Sequence, residues 1–231
     1  MLTIRPATER GHANHGWLDS KFSFSFDQYY DPAHMGFRAL RVINEDLVAP
    51  ATGFGKHPHR DMEILTYVLE GAVKHEDSTG SSETLIPGEL QHMSAGSGVR
   101  HSEMNPSDSE TLHLLQIWLL PNQLGIPPKY EQKRFNVQDK TNELHLLAST
   151  DARNGSFKLY SDAELLAAKL DAACAVSHTF KLGNGWLQVA RGTVSVAGGT
   201  LQAGDGLALV GEPSITITSD SGAEFLLFDL A

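Results

Sequence analysis

The chain has 231 residues, enough for one large all-β domain or two of ordinary size. Hydrophobic residues make up 41% and charged residues 20%, the balance of an ordinary globular protein rather than a disordered or membrane-spanning one. A net charge of −10 excludes direct, non-specific nucleic-acid binding, which needs a basic surface, and disfavours anionic membranes.

The opening residues, Met1-Leu2-Thr3-Ile4-Arg5-Pro6, lack the apolar run of a secretory signal, and no apolar run approaches the length of a membrane span. With Cys174 as the single cysteine, no internal disulfide forms; a cytoplasmic location is expected, with Cys174 as a small buried hydrophobe. Residues 1–37 are rich in aromatics, and Phe22, Phe24 and Phe26 alternate with polar residues as a half-buried strand does. Tyr30-Asp31-Pro32 is a turn signal. His12, His15 and His34 lie here without metal-ligand spacing and are expected at the surface or hydrogen-bonded.

Strands are then predicted over residues 40–44, 64–69, 73–76, 84–86, 90–94, 101–104 and 112–120, with an edge strand at 129–135. Gly71, Asp77-Ser78-Thr79-Gly80, Pro87-Gly88-Glu89, Ala95-Gly96-Ser97-Gly98 and Pro121 punctuate them, the pattern of a β-sandwich or barrel. The polar stretch 136–142 is the expected domain connection. Asp162 to Leu170 has strong helix propensity, yet the second half repeats the first. Gly71-Ala72-Val73 matches Gly192-Thr193-Val194, Pro87-Gly88-Glu89 matches Ala203-Gly204-Asp205, and Leu112 to Leu115 matches Phe225 to Phe228. In that register Leu165 to Leu170 takes the place of Leu40 to Asn44, so a strand is expected there, with no helix longer than about three turns anywhere.

Two short pieces carry the chemistry. His57-Pro58-His59 and His101-Ser102-Glu103 each place two ligands at i and i+2, on one face of a strand about 7 Å apart. If the strands face each other, His57, His59, His101 and Glu103 converge as three imidazoles and one carboxylate. That set suits one divalent transition metal with coordination positions left open: iron, copper, nickel, manganese or zinc, iron first among them. Glu63 is a fifth ligand, an orienting group behind an imidazole, or a rim partner of Arg60 or Arg100. Gln116 is either an amide in the site pocket or a satisfied core group, and Asn105 caps the barrel end. In the second half His178 falls near the place of His57, but Phe180 stands where His59 would, so no metal is expected there and His178 is structural.

Gly53 to Gly71 and His101 to Asn105 resemble the two cupin motifs. In detail they resemble the pirin family, as do Gly16-Trp17, Phe22-Ser23-Phe24, Tyr30-Asp31-Pro32, the run Thr66 to Gly71 and Ser94 to Gly98. The likeness is strong over residues 1–135 and loose beyond, and is nearest to bacterial pirin-like quercetin 2,3-dioxygenases. It implies an all-β bicupin, two double-stranded β-helix or jelly-roll barrels in tandem: residues 1–136 with the metal and 137–231 degenerate and without one. It also implies metal ligands at His57, His59, His101 and Glu103, and for some members opening of the central ring of flavonols with dioxygen and release of carbon monoxide. In that mechanism Glu103 is the base that takes the proton of the flavonol ring hydroxyl. Phe54, Leu65, Tyr67, Met93, Met104 and Leu114 are candidates for the apolar wall. The rival reading is a non-catalytic metalloprotein that binds a protein partner as a redox sensor, as implied by the animal member; a third, a cupin isomerase or sugar-binding enzyme, would need more polar groups around the site. An enclosed apolar pocket over the metal would favour the enzyme, and a large exposed apolar patch the regulator.

Overall fold

A computed structural model describes residues 1–231. The strands of the first half are β1 (Leu2–Arg5), β2 (Gly11–Asn14), β3 (Leu18–Phe22), β4 (Leu40–Val48), β5 (Gly53–His59), β6 (Glu63–Glu70), β7 (Val73–Asp77), β8 (Ser82–Leu85), β9 (Glu89–Ser94), β10 (Val99–Met104), β11 (Leu112–Leu119) and β12 (Lys129–Arg134). Those of the second are β13 (His145–Ser149), β14 (Phe157–Lys158), β15 (Ala163–Leu170), β16 (Cys174–Thr179), β17 (Asn184–Val196), β18 (Gly199–Gln202), β19 (Gly206–Val210), β20 (Ser214–Ser219) and β21 (Ala223–Leu230). The only helical pieces are single 3₁₀ turns at Ala7–Glu9 and Arg153–Gly155. The fold is all-β, with two cupin-type domains.

The chain forms two compact units, one of Gly11–Arg134 and one of Met1–Arg10 with Phe135–Ala231. From sequence a single boundary is expected, at 136–137. In the structure the first ten residues instead add β1 to the edge of β19, with Leu2 opposite Leu209 and Arg5 opposite Gly206.

In the Gly11–Arg134 unit a seven-stranded antiparallel sheet runs β12-β9-β6-β11-β4-β3-β2, and a four-stranded sheet runs β5-β10-β7-β8. Strand β6 carries Ile, Leu, Thr, Tyr, Val and Leu in succession and is buried on both faces until Glu70, which is why its sequence lacks alternation. Two apolar clusters join the sheets. One sets Val68, Leu112 and Leu114 against Val73 and Leu85; the other sets Ile64 and Met93 against Val99. Each such side chain contributes about 1.5–3 kcal/mol on burial. The polar residues between these clusters make the site.

In the other unit β17, thirteen residues long, pairs with β21, β19, β18 and β20. Leu166, Ala168 and Leu170 of β15 pack in the core with Leu187, Val189, Phe225 and Leu227. The region of high helix propensity is therefore a strand, paired with β13 on one side and β21 on the other. The repeat is visible in the backbone. Gly71 and Gly192 both turn with left-handed φ, +76° and +72°. A Cβ at Gly71 would come within 2.9 Å of the Thr111 carbonyl oxygen, and one at Gly192 would collide with the carbonyl of Gly222. Leu112 faces Val48, while Ala223 faces Leu170. Leu112 is thus equivalent to Ala223 rather than Phe225. A two-residue shift keeps the same face of the strand, so the hydrophobic pattern did not reveal it.

Two local expectations differ. The strand over Phe22, Phe24 and Phe26 stops at Phe22, and the chain bends through residues 23–26 with Asp27 at φ 49°; Phe26 instead meets the Trp118 ring at 5.3 Å. Cys174 opens β16 half-buried rather than buried, because it lies next to the exposed turn at 171–173.

Candidate metal centre and pocket

Strand β5 is an edge strand, so Pro58, which has no N–H to donate, sits there without cost between the two histidines. Strand β10 lies beside it, with His101 opposite His57 and Val99 opposite His59. The i and i+2 spacing turns His57 and His59 to one side, and the three rings pack with centroids 4.5–4.8 Å apart. The register slips between His101 and Glu103, so that Glu103 faces Phe54. A Cβ on Gly53 at this point would run into the Glu103 carbonyl; only glycine lets the strands approach so closely.

The imidazoles are oriented from behind. His57 Nδ1–H donates to the Gly55 carbonyl at 2.8 Å, which turns its Nε2 lone pair inward, and that nitrogen lies 3.0 Å from His101 Nε2. The His101 Nδ1 faces His75 Nδ1 at 3.4 Å, and His75 Nε2–H reaches Asp77 Oδ2 at 3.0 Å. His75 is stacked on Tyr130 at 4.4 Å. If His101 Nε2 points its lone pair into the site, the chain of donors runs from His101 to His75 to Asp77 without conflict. Burial would raise the Asp77 carboxyl, but hydrogen bonds from the Thr79 hydroxyl, His75 and the Thr79 and Ser81 amides bring it down to about 2.

Glu103 is buried and held at both oxygens. Gln91 Nε2 donates to Oε1 at 2.8 Å, Thr66 Oγ1 donates to Oε1 at 3.2 Å, and Gln116 Nε2 donates to Oε2 at 2.8 Å. Burial alone pushes this carboxyl up; the neighbouring His101 and His75 and the bonds from Gln91 and Thr66 outweigh it and hold the group below its ordinary value. Burial, with the other imidazoles nearby, brings His59 and His101 down to about 4. At neutral pH these two rings are uncharged, beside an ionised carboxylate.

Two overlapping groups share His101: His57, His59 and His101, and His75, His101 and Glu103, each with its ligand atoms within 4.8 Å of one another. Two imidazole nitrogens facing each other at 3.0 Å need a proton or a cation between them. With His59 and His101 neutral and Glu103 ionised, the donor set fits a divalent transition ion.

Above the histidines lies a cavity of about 330 Å³. Its walls are aromatic: Trp17 meets Phe54 edge-on at 5.2 Å, and Trp118 packs edge-on against both Phe26 and His59. Ser20, Asn44 and Asp46 line it from β3 and β4. Ser20 Oγ donates to Asp46 Oδ1. Burial pushes the Asp46 carboxyl up to about 7, against that hydrogen bond and with the charges of Glu103 and Glu45 adding to the rise.

Of the other residues singled out from sequence, Gln116 is a pocket amide, bonded to Glu103. Asn105 closes the strand end by donating to the Val48, Ala49 and Glu110 carbonyls. Glu63 is buried and lies outside the two clustered groups of metal-binding side chains. The chain breaks at Asp61, with φ 47°, so strand alternation does not carry from His59 to Glu63. Glu63 instead accepts from His92 at 2.8 Å and Ser94 at 3.1 Å. His12 and His34 are paired with Asp19 and Asp31, whereas His15 lines the pocket. His178 lies 3.1 Å from Asp229, which also accepts from the Lys181 and Leu182 amides. His75, Asp77, Thr66 and Gln91 escaped sequence reasoning. A His-x-Asp at residues 75–77 was the available signal, but it acquires meaning only once β7 is known to lie against β10, with His75 opposite Glu103.

The family model described as Pirin matches residues 3–119, and that described as the quercetinase C-terminal cupin domain matches residues 146–230. The chain is 53% identical over 232 residues to a protein of Escherichia coli K12 named quercetin 2,3-dioxygenase, covering 100% of this chain and 99% of that one. It is 42% identical over 235 residues to a pirin-like protein of Caulobacter vibrioides, covering 100% of both. Among solved structures it is similar to the E. coli bacterial pirin YhhW in complex with nickel(II), with a TM-score of 0.94 and 52% identity over 100% of this chain and 99% of that one. The matched segments include both halves of the histidine cluster and the strands that carry it, and the chain belongs to the pirin family.

Proposed function

We propose that the protein is a metal-dependent dioxygenase that opens the central ring of flavonols such as quercetin, taking up dioxygen and releasing a depside and carbon monoxide. The observation that carries this reading is a buried, ionised Glu103 beside convergent neutral imidazoles, at the floor of an aromatic-walled pocket. The residues that would hold the metal are His57, His59, His101 and Glu103, all in the Gly11–Arg134 unit, with none held by the other unit. When bound, the ion supplies Lewis acidity, lowering the pKa of the flavonol ring hydroxyl and stabilising the flavonolate. The nickel complex belongs to the relative; for this chain iron is proposed first, with nickel, copper, manganese and zinc suited to the same donors.

The chain's own residues do the rest. Trp17, Phe54 and Trp118 take a planar aromatic ring system and exclude water from it. Glu103 accepts the hydroxyl proton, and Gln91, Thr66 and Gln116 keep its carboxylate aimed and stabilised. The aromatic side chains that line the cavity beside the ligand candidates favour the enzyme over the redox-sensor reading, since a partner-binding role gives no reason for them. The location proposed is the cytoplasm; no helix is long and apolar enough to cross a membrane.

The test is quercetin bleaching by metal-replete protein under air, before and after chelation. Chelation should abolish it. Glu103→Gln should lose turnover by about 10²-fold or more while keeping a larger share of its metal, because an amide oxygen still coordinates weakly but takes no proton. An unreactive metal-replete protein that binds a protein partner in a metal-dependent way would replace this reading with the regulatory one.

A further inference from the structure

The proposed chemistry uses the floor of the pocket and leaves one wall unexplained. Ser20, Asn44 and Asp46 are 2–3% exposed, yet all three line the cavity. Asn44 and Asp46 are two residues apart on β4 and share its inward face, and Ser20 lies opposite Asp46 on β3. Asn44 Oδ1 has no hydrogen-bond partner, and neither has the indole N–H of Trp118, which also lines the pocket. Leaving a buried polar group unpaired is destabilising. An apolar side chain would remove the cost, as Leu18 and Phe22 do beside them on the same wall.

Buried polar atoms left without partners, in side chains that line a binding cavity, mark where a ligand's own polar groups go. Asn44 Oδ1 and Asp46 offer acceptors and call for O–H donors, while Trp118 Nε1 offers a donor and calls for an oxygen. A hydroxyl satisfies both demands. The aromatic side chains that line the pocket suit a planar ring as its carrier. We infer that Ser20, Asn44, Asp46 and Trp118 form a recognition subsite for phenolic hydroxyls remote from the one handled by Glu103, so that the pocket selects polyhydroxylated planar aromatics over bare ones. This rests on the flavonol reading for the choice of substrate class. The four side chains are specificity determinants; the proton transfer stays with Glu103.

The test is equilibrium binding by calorimetry without dioxygen, on metal-loaded protein, comparing quercetin with 3-hydroxyflavone. The latter keeps the reacting hydroxyl and carbonyl but lacks the remaining hydroxyls, and being more apolar it would win in a merely greasy pocket. Wild-type protein should favour quercetin by about tenfold or more. Asn44→Ala and Asp46→Asn should each reduce that ratio by about three- to tenfold, the loss of one hydrogen bond. Ser20→Ala, which removes a single hydroxyl, carries the same expectation if either variant fails to fold. Equal affinity for the two flavonols in wild type, a ratio unmoved by the substitutions, or no binding of either compound would overturn the subsite. Aerobic turnover is read separately: a preserved binding preference without turnover would sink the dioxygenase reading and leave the subsite standing.

Discussion

His101 has each ring nitrogen committed to a different task. Its Nε2 faces His57 and its Nδ1 faces His75, which leans on Asp77. Asp77→Asn would take away the charge that steadies this chain, so metal affinity should fall about 10–100-fold, measured by competition with a chelator. An unchanged affinity would show that His75 orients His101 without help. Asp46 supplies a pH test. Its folded value of about 7 lies above the ordinary 3.8, so stability tied to the protonated carboxyl is fully present below about pH 4 and is lost as pH rises through 7. In metal-free protein, Asp46→Asn should match wild type near pH 4 and exceed it by an order of 2–4 kcal/mol near pH 9 in denaturant melts. A difference that does not grow with pH would contradict the burial argument. The ligand candidates were legible in sequence because i and i+2 spacing is a local property. Their supports were not: Gln91, Thr66 and His75 reach the site only through strand neighbours distant in the chain.

Elements decide the matter where local preference and pairing disagree. Ala163–Leu170 reads as helix by composition but is a strand, because β13 and β21 both hydrogen-bond to it and its side chains are buried on both faces. The repeat made that legible, whereas propensity alone pointed the other way. Glu63 shows the reverse: strand alternation from His59 was a fair local extrapolation, defeated by the left-handed Asp61, which sequence did not announce. Strand β11 tests the packing account. Ile117 is fully buried between β4 and β6, and Ile117→Ala should cost about 2–5 kcal/mol by equilibrium unfolding. A loss under about 1 kcal/mol would mean that the sheet collapses around the gap more readily than this packing allows.

At the scale of the whole molecule, two units share a strand plan and differ in chemistry. Both groups of clustered metal-binding side chains fall within Gly11–Arg134, while the counterpart of His57 in the repeat, His178, is engaged with Asp229. Metal analysis of purified protein should therefore find about one ion per chain. His59→Ala should remove most of it and His178→Ala almost none; a count near two would contradict the single-site account. The all-β class and the repeat were readable from strand-length apolar runs and glycine punctuation. The attachment of residues 1–10 to the later unit was not, since β1 is mostly exposed and short and carries little pattern of its own. The central claim is that these strands assemble a flavonol ring-opening centre. Simultaneous measurement of quercetin loss, dioxygen uptake and carbon monoxide release by metal-replete protein tests it most directly. The account predicts equal molar amounts of all three, abolished together by chelation. Quercetin left intact, or oxidised with dioxygen uptake but no carbon monoxide, would contradict it.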